Sequence, residues 1–348
     1  RMRWIEFTDL HLSHRDKLGE FRFHDKMKIV SEVVDAAIAE RADFVVSLGD
    51  TFSHARMPRR YKRIFYGEIS RLWKNNIQIF MLVGNHELTA FDTLFDDEIE
   101  IADHSEFLRI VRDAPQLFST SDASFIFCPY AASNESLLAM VDAARKSSFL
   151  PIVVFAHKGF AASGYWATDS DLSAQDVAGR IDNTYWRFGH FHVKGDPMRN
   201  VSIIGSAAFP DFSEEGSKKF YYVGQTRADG VDYTAMLLHD RKAVSVNLQF
   251  SELEQFVDDA VGMEETLVKV TVYAHRADLR AVNKQLRVLQ EKVAAVRRKI
   301  IYVEEEASAA SQTAILAGGI PEEIRKLAGE DEELLAIGLR LFDAAEAE

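Results

Sequence analysis

The chain has 348 residues and a single cysteine, Cys128, so no intramolecular disulfide is possible and an oxidising compartment is not indicated. No apolar run is long enough to span a membrane and the sequence opens directly with a strand pattern, so we expect no signal peptide and a cytoplasmic location. The formal net charge of −13 is uneven, because residues 301–348 hold twelve acidic and three basic residues.

Short apolar runs with β-branched residues predict buried strands over 4–7, 44–48, 77–83 and 151–155. Between the first two runs, one apolar stripe over Lys26–Glu40 predicts a helix. Polar residues follow each predicted strand, and this order indicates an α/β fold with its site in the loops beyond the strand ends. Glycines precede three of these polar segments, which suits a backbone that must approach a ligand closely.

Five polar segments carry side chains that bind divalent cations. The candidate metal ligands are Asp9, His11, Asp50, Asn85, His157, His190 and His192. A carboxylate can give one oxygen to each of two cations, which makes Asp50 the candidate bridge. His190 and His192, two residues apart on an extended segment, point the same way. Any one of these histidines alone is more often an ordinary residue, but five such segments in order are far less expected by chance.

Two segments are strongly basic and predict contacts with phosphate backbones. Between His54 and Lys74 there are seven basic residues and one glutamate, and between Arg276 and Lys299 there are eight basic and two acidic residues. The alternative for each segment is a solvated helix face. The DNA-binding candidates are Arg59, Arg60, Arg63, Arg280, Lys284 and Arg287.

The rest of the chain divides into parts. Strand-like segments at 201–205, 219–223, 232–238 and 243–250 are typical of a second sheet packed on the first. Residues 266–303 are predicted to form strand, helix and strand, a small α+β unit. A stretch rich in Ala, Ser and Gly then resembles a linker. We predict domains at 1–248 and 249–303, a linker at 304–319 and a helical segment at 320–348.

The order of the metal-ligand segments resembles the calcineurin-like metallophosphoesterase superfamily. The resemblance implies a two-sheet sandwich with outer helices. It also implies that Asp9, His11 and His192 complete one metal site and that Asn85, His157 and His190 complete the other. His86, next to a ligand but not needed as one, is then the natural proton donor or charge stabiliser for the leaving oxygen. Two Mn²⁺ ions are the expected cofactors, with Mg²⁺ as an alternative.

Within the superfamily, the sequence is similar to SbcD-type DNA repair nuclease subunits of bacteria and phages. The similarity lies in Cys128-Pro129-Tyr130, in Tyr185–Phe188 before Gly189, and in Ile204-Gly205-Ser206 followed by Phe212–Gly216 and Lys219. It implies that 249–303 is a capping domain, that the substrate is DNA as duplex ends, hairpins or single strands, and that the chain forms a homodimer within a heterotetramer. A bacterial cell or a phage-infected host is the implied setting.

The resemblance also implies a helical tail that docks on an SbcC-type, SMC-like ATPase. Two short helices after residue 320 cannot bury all of their apolar surface against each other. The docking candidates are Ile324, Leu327, Leu334, Leu335, Leu341 and Phe342. Packing of these helices on the main domain is the alternative.

The sequence departs from the SbcD pattern at three positions. Ala207 replaces a proline, Phe220 replaces a glycine, and Ser53 stands where the family usually has His or Asp, with His54 one residue later. The last departure bears on the balance between exonuclease and endonuclease action. Two rival functions remain: a phosphatase or small-molecule phosphodiesterase of the same superfamily, and a scaffold subunit with a vestigial site.

Overall fold

The structure, a computed structural model, describes residues 1–16, 20–88, 106–161, 171–210 and 212–303. The predicted linker at 304–319 and the helical segment at 320–348, with all six docking candidates, lie outside the described residues. None of the helices in the described ranges has the length and apolar composition of a membrane-spanning segment.

The described part of the chain folds into short strands with helices between many of them. The α-helices are α1 Phe21–Ala39, α2 Arg59–Lys74, α3 Asn134–Ser147, α4 Ala174–Ala178, α5 Phe250–Asp259 and α6 Leu279–Lys292. The strands are β1 Arg3–Phe7, β2 Phe44–Ser47, β3 Gln78–Leu82, β4 Leu108–Val111, β5 Gln116–Ser119, β6 Ser124–Cys128, β7 Ile152–Ala156, β8 Thr184–Phe188, β9 Gly195–Met198, β10 Val201–Ile203, β11 Phe220–Arg227, β12 Gly230–Leu237, β13 Ala243–Gln249, β14 Leu267–Ala274 and β15 Ala295–Tyr302. Short 3-10 turns occupy Asn85–Glu87, Phe212–Glu214 and Arg276–Asp278.

Two six-stranded mixed sheets form the body of the molecule. The first has the order β12-β11-β1-β2-β3-β4 and the second the order β5-β6-β7-β8-β10-β9. β1, β2 and β3 are parallel neighbours, and so are β6, β7 and β8. Parallel strands place their carboxyl ends at one edge, and this edge holds the polar segments that follow β1, β2, β3, β7 and β8.

The two sheets pack face to face and helices cover their outer faces. Aromatic side chains fill the space between the sheets; Trp4 stacks on Phe44, and Phe80 stacks on Phe127 across the interface. The outer face of the first sheet packs against α1 and α2, and that of the second against α3 and α4. The predicted two-sheet sandwich with outer helices is therefore confirmed, and its rigid core holds the strand ends in place.

The strand-like segments after residue 200 do not form a sheet of their own, so that prediction is wrong. β10 adds to the second sheet, whereas β11 pairs antiparallel with β1 and brings β12 into the first sheet. Gly224 on β11 makes this pairing possible, because a Cβ there would lie 2.1 Å from Cε2 of Trp4. Such a close approach between distant residues cannot be inferred from local alternation.

The third sheet has the order β13-β14-β15, and all of its strands are parallel. α5 and α6 cover one face of it and enclose a separate apolar core around Val268, Val270 and Val272. The segment 243–250, predicted to belong with the sandwich, pairs with β14 instead. The small α+β unit predicted over 266–303 therefore also includes β13 and α5, which precede it in the sequence. The domain boundary at 248 stays a prediction.

The predicted helix over Lys26–Glu40 is present, but it begins earlier, at Phe21. Its extra first turn is held by burial, since Phe23 is inaccessible to solvent and Arg22 is 1 % exposed. Arg22 donates hydrogen bonds to the Phe209 carbonyl at 2.8 Å and to Asp240 at 3.0 Å. These partners are about two hundred residues away in the sequence, so a local apolar stripe does not reveal them.

Candidate metal centre

Seven predicted ligands converge at the shared edge of the two main sheets. Asp9 and His11 follow β1, Asp50 follows β2 and Asn85 follows β3, while His157 follows β7 and His190 and His192 follow β8. Four of these residues have left-handed backbone, with φ of 52° at Asp9, 50° at His11, 48° at Asp50 and 78° at His190. Such conformations cost roughly 1–3 kcal/mol each outside glycine and concentrate at functional sites.

Glycines let the ligand loops approach one another. A Cβ at Gly49 would lie 2.3 Å from Nδ1 of His157, and one at Gly84 would lie 2.1 Å from Oδ1 of Asp50. Glycine at these positions thus leaves room for the ligand side chains of neighbouring loops, whereas close approach of the backbone to metal ions stays a prediction.

Asp9, His11 and His192 form one group of metal-binding atoms. Nε2 of His11 lies 3.1 Å from Nε2 of His192, and Oδ1 of Asp9 lies 3.8 Å and 3.6 Å from these two nitrogens. The other oxygen of Asp9 accepts hydrogen bonds from the Thr8 hydroxyl at 2.7 Å and from the His190 backbone N–H at 3.0 Å. The carboxylate is thereby fixed with Oδ1 facing the two imidazoles.

Asn85, His157 and His190 form a second group. Oδ1 of Asn85 lies 3.2 Å from Nε2 of His157 and 3.0 Å from Nδ1 of His190. Nδ1 of the buried His157 donates to the Leu48 carbonyl at 2.6 Å, which leaves Nε2 to face the group. Histidine ligands of metals commonly have their second nitrogen held in this way.

Asp50 lies between the two groups. Its Oδ2 is 3.3 Å from Nε2 of His157, 3.9 Å from Nε2 of His11 and 3.9 Å from Nε2 of His86. Its Oδ1 accepts a hydrogen bond from the His86 backbone N–H at 2.9 Å. Burial alone would raise the pKa of Asp50, but His157 holds it well below its usual range, so the carboxylate stays ionised. Burial would lower the pKa of His157, but the charge on Asp50 raises it to about 9.

His86 is the most exposed imidazole of the cluster, with 48 % of its side chain accessible. Its ring meets the His11 ring edge to face, with centroids 4.8 Å apart. Its nitrogen lies near ligand atoms of His11 and Asp50, so His86 could also contribute to a metal site. Exposure toward solvent nevertheless suits a group that meets substrate.

A second layer of residues holds the ligands. Nδ1 of His192 is 2.6 Å from Oε1 of Glu214, and Glu214 in turn receives hydrogen bonds from Ser206 at 2.9 Å and from Lys219. Glu87 bridges the two ligand loops, accepting from the Phe52 N–H at 3.0 Å and the Gly84 N–H at 2.9 Å. Burial and the nearby charge of Asp50 raise the pKa of Glu87 to about 8.

The loop after β1 is held in place by hydrogen bonds to the His11 carbonyl. That oxygen accepts hydrogen bonds from Nζ of the buried Lys26 at 2.7 Å and from the Ser53 hydroxyl at 2.9 Å. Ser53, the departure from the SbcD pattern, therefore supports a ligand loop. The exposed His54 lines the same cavity as His86.

A cavity of about 480 Å³ opens onto the metal-binding cluster. His11, His86 and His192 line it from the sandwich, and Arg297 of β15 lines it from the three-stranded sheet. Among the described residues, the wall holds one acidic residue, Asp16, which lies 3.7 Å from Nζ of Lys26. The cavity is thus lined by both parts of the molecule, and the small unit contributes a cationic side chain to it.

The predicted DNA-binding residues lie on helices outside this cavity. Arg59 and Arg63 are exposed on α2, and Arg60 is held beside Glu20 with 3.6 Å between charged atoms. Arg280, Lys284 and Arg287 share the exposed side of α6, whose other side packs on the third sheet. Their role in binding DNA remains a prediction.

The residues present fit a pair of divalent cations. Oδ1 of Asp9 is buried and, among the described residues, has no hydrogen-bond partner, although burying a bare carboxylate oxygen is costly. The atoms that surround it are carboxylate, amide and imidazole ligands, which suit Mn²⁺, Zn²⁺ or Fe more than Ca²⁺. Two groups sharing one carboxylate thus indicate a dimetal site.

Comparison with known families decides the class of this site. The calcineurin-like phosphoesterase model matches residues 2–194, which include all seven candidate ligands. The chain belongs to the calcineurin-like phosphoesterase family. The predicted superfamily is confirmed, and so is the coarse activity, that of a metallophosphoesterase.

Two archaeal relatives are named DNA double-strand break repair protein Mre11. The one from Methanocaldococcus jannaschii is 22% identical over 71% of this chain and 70% of its own length. The one from Sulfurisphaera tokodaii is 24% identical over 66% of this chain and 59% of its own length. Among solved structures, a dimetal phosphatase from Danio rerio is similar over 67% of this chain and 95% of that chain, with a TM-score of 0.48 and 13% identity.

The sequence predicts the candidate metal ligands, but it does not reveal the residues that hold them in place or the wall of the cavity that Arg297 forms. In the sequence, Glu214 and Lys219 stand out only within the SbcD-like stretch, and nothing singles out Glu87 as a support. Arg297 belongs to the basic segment between Arg276 and Lys299, but the residues predicted to bind DNA in that segment are the three on its helix. The local sequence does not reveal this wall, because Arg297, Arg298 and Lys299 are consecutive and only the pairing of β15 with β14 assigns Arg297 to the uncovered face.

Proposed function

We propose that this metallophosphoesterase is a DNA phosphodiesterase and the nuclease subunit of a complex with an SbcC-type ATPase. The observation that carries the proposal is the position of Asp50, which faces His157 on one side and His11 on the other. A carboxylate placed between two complete ligand groups is suited to hold two divalent cations at once.

Each side chain then has a role in phosphodiester hydrolysis. Asp9, His11 and His192 would hold one cation, Asn85, His157 and His190 the other, and Asp50 both. When bound, two divalent cations supply Lewis acidity toward the phosphoryl oxygens and lower the pKa of the attacking water. His86, exposed toward the cavity and adjacent to a ligand, would donate a proton to the departing oxygen.

DNA as the substrate is supported by two observations of different kinds. The archaeal relatives are named as DNA double-strand break repair proteins. The cavity over the cluster has basic residues in its wall, and one of them, Arg297, comes from a second, smaller unit, which an enzyme for small phosphate esters does not need. Within this proposal, residues 249–303 act as a capping domain that binds DNA and residues 320–348 dock on the ATPase, with two copies of the nuclease in the assembly.

The test is hydrolysis by the purified chain, stripped of metal and reloaded with Mn²⁺ or Mg²⁺. Labelled linear and hairpin DNA are compared with bis(p-nitrophenyl) phosphate and p-nitrophenyl phosphate, and Asp50→Asn serves as the inactive control. We expect cleavage of DNA, faster with Mn²⁺ than with Mg²⁺. Turnover of the small esters without DNA cleavage would favour the phosphatase alternative. Bound metal without any turnover would favour a scaffold.

A further inference from the structure

The uncovered face of the three-stranded sheet points to how substrate reaches the metal centre, an inference that rests on the proposed function. Along each strand, alternate side chains lie on opposite faces. The even-numbered residues of β14 face α5 and α6 in an apolar core, so the odd-numbered residues lie on the other face. Arg297 on β15 lies on this second face and also lines the cavity of the candidate metal centre.

The registry of the three strands orders this face into rows. Ala243, Leu267 and Ala295 form the first row, which packs against Phe209 and Phe212 of the sandwich. The next row is Ser245, Lys269 and Arg297, and the one after it is Asn247, Thr271 and Lys299. The face therefore starts at the sandwich, passes the cavity at Arg297 and continues outward.

The chemistry of these rows suits a phosphodiester backbone. Three side chains are cationic, the others on the second and third rows carry hydroxyl or amide groups, and none of the residues that these strands place on this face is acidic. Two residues along a strand advance about 6.6 Å, comparable to the spacing of successive phosphates in an extended strand. The basic side of α6, by contrast, faces away from the sheet and from the cavity.

We propose that a single strand of DNA lies along this face as it enters the metal centre. Arg297 holds the phosphate next to the scissile bond, and Lys269 and Lys299 hold the phosphates further from it. Arg297 is thus a substrate-positioning residue contributed by the small unit, and the sheet face of β13, β14 and β15, rather than the α6 face, is the main DNA-binding surface of that unit.

The first experiment measures binding of a labelled single-stranded oligonucleotide by fluorescence anisotropy, in EDTA, over a series of salt concentrations. The test variant combines Lys269→Gln, Arg297→Gln and Lys299→Gln, and Arg297→Lys alone tests whether charge suffices. We expect the triple variant to bind about tenfold or more weakly, with a salt slope about 2 units shallower, since each lost contact removes about 0.7. Arg297→Lys should retain most of the wild-type slope.

Two variants serve as controls, one for a single neighbouring charge and one for the loss of three charges. Arg298→Gln changes the neighbouring residue, whose side chain contacts Asn283 on the helix-covered side, and should bind like wild type. The α6 variant, with Arg280, Lys284 and Arg287 all changed to Gln, removes the same charge from the other side of the unit. A shallower slope for the α6 variant with an unchanged slope for the sheet variant would overturn the inference.

The second experiment separates this inference from the proposed function. With Mn²⁺ bound, kcat/KM of the sheet variant should fall more for the oligonucleotide than for bis(p-nitrophenyl) phosphate, which has no neighbouring phosphates. Equal losses on both substrates would contradict a role in strand positioning while leaving the nuclease function intact. If wild type binds the oligonucleotide but does not cleave it, the nuclease function fails, and the binding series still decides which face carries DNA.

Discussion

Asp50 connects the two ligand groups, and this position makes it the most informative residue to change. Its carboxylate reaches imidazoles from both sheets, with Nε2 of His157 at 3.3 Å and Nε2 of His11 at 3.9 Å. We expect wild type to bind two Mn²⁺ ions per chain and Asp50→Ala to bind neither tightly. Equilibrium dialysis with metal analysis measures the stoichiometry, and retention of one tight ion by the variant would show that Asp50 is not shared.

Glu214 holds His192 at 2.6 Å without being a predicted ligand. Glu214→Gln should weaken binding of one metal about 10–100-fold, the range typical of residues that orient a ligand histidine, and leave the other metal in place. Glu215, the exposed neighbour, gives the matched control, since Glu215→Gln removes the same charge outside the site. Calorimetric titration with Mn²⁺ measures the two metal-binding affinities separately. Equal affinities in the two variants would show that the contact between Glu214 and His192 does not contribute to metal binding.

His86 is expected to act on the leaving group rather than on the metal. His86→Gln should lower kcat by about 10²–10⁴-fold, the usual contribution of a general acid, while metal stoichiometry and DNA affinity stay close to wild type. The loss should be smaller for a diester with a p-nitrophenolate leaving group, which needs little protonation. Loss of a metal ion in this variant would instead place His86 among the ligands, as its distance of 3.9 Å from Oδ2 of Asp50 allows.

At the scale of elements, a buried ion pair joins the two main sheets. Glu6 on β1 and Arg187 on β8 are both buried, and their side chains form an ion pair. Tyr222 and Tyr233 stack on the guanidinium, which lies 4.6 Å and 4.1 Å from their ring centres. Burial raises the pKa of Glu6, and the charge of Arg187 acts in the opposite direction without fully offsetting this effect.

Glu6→Gln should therefore destabilise the sandwich by about 3–5 kcal/mol, because it leaves a buried guanidinium without its counter-ion. Asp232→Asn is the control, since it breaks the exposed pair with Arg227 and should cost about 0–1 kcal/mol. Urea denaturation of both variants gives the two free energies of unfolding. Similar values would mean that the aromatic packing around Arg187 compensates for the lost charge.

The sequence predicted four of the strands that precede ligand segments, because those strands are largely apolar, whereas β8 contains Thr184 and Arg187 and was not predicted. β2 and β7 are fully buried, so their runs of Phe, Val, Ile and Ala are unmistakable. Predictions failed where one strand could pair with several partners. β13 alternates like an edge strand of any sheet, and only the registry with β14 assigns it to the small unit. The role of Glu214 in holding His192 was not predicted, because the two residues are 22 positions apart and meet only when the loop between them is folded.

At the scale of the whole molecule, two units with separate cores line the cavity over the candidate metal centre. The sandwich provides every candidate ligand, and the three-stranded sheet provides Arg297 at the cavity wall. Their contact includes Phe209, Phe212 and Leu267 and the ion pair between Arg241 and Asp25. Small shifts of one unit against the other would therefore change the shape of the cavity without moving the candidate metal ligands. Access to the cavity could then vary while the metal-binding geometry stays the same.

The last prediction concerns the segment beyond Val303, which the sequence predicts to be a linker followed by a docking helix pair. A chain truncated after Val303 should stay folded, because β15 ends at Tyr302 and the following stretch has the composition of a linker. It should keep metal-dependent cleavage of single-stranded DNA, since every candidate ligand lies before residue 193. It should not co-elute with an SbcC-type ATPase in gel filtration.

A full-length variant distinguishes loss of the docking surface from removal of the whole segment after Val303. Changing Leu334, Leu335, Leu341 and Phe342 to polar residues should abolish co-elution and any ATP-stimulated cleavage of duplex ends, while cleavage of single strands persists. The net charge of the segment is unchanged by these substitutions, so an effect would come from its apolar surface. If the truncated chain still co-elutes with the ATPase, the docking surface lies within residues 1–303 instead, and the apolar residues after 320 then pack on the chain itself.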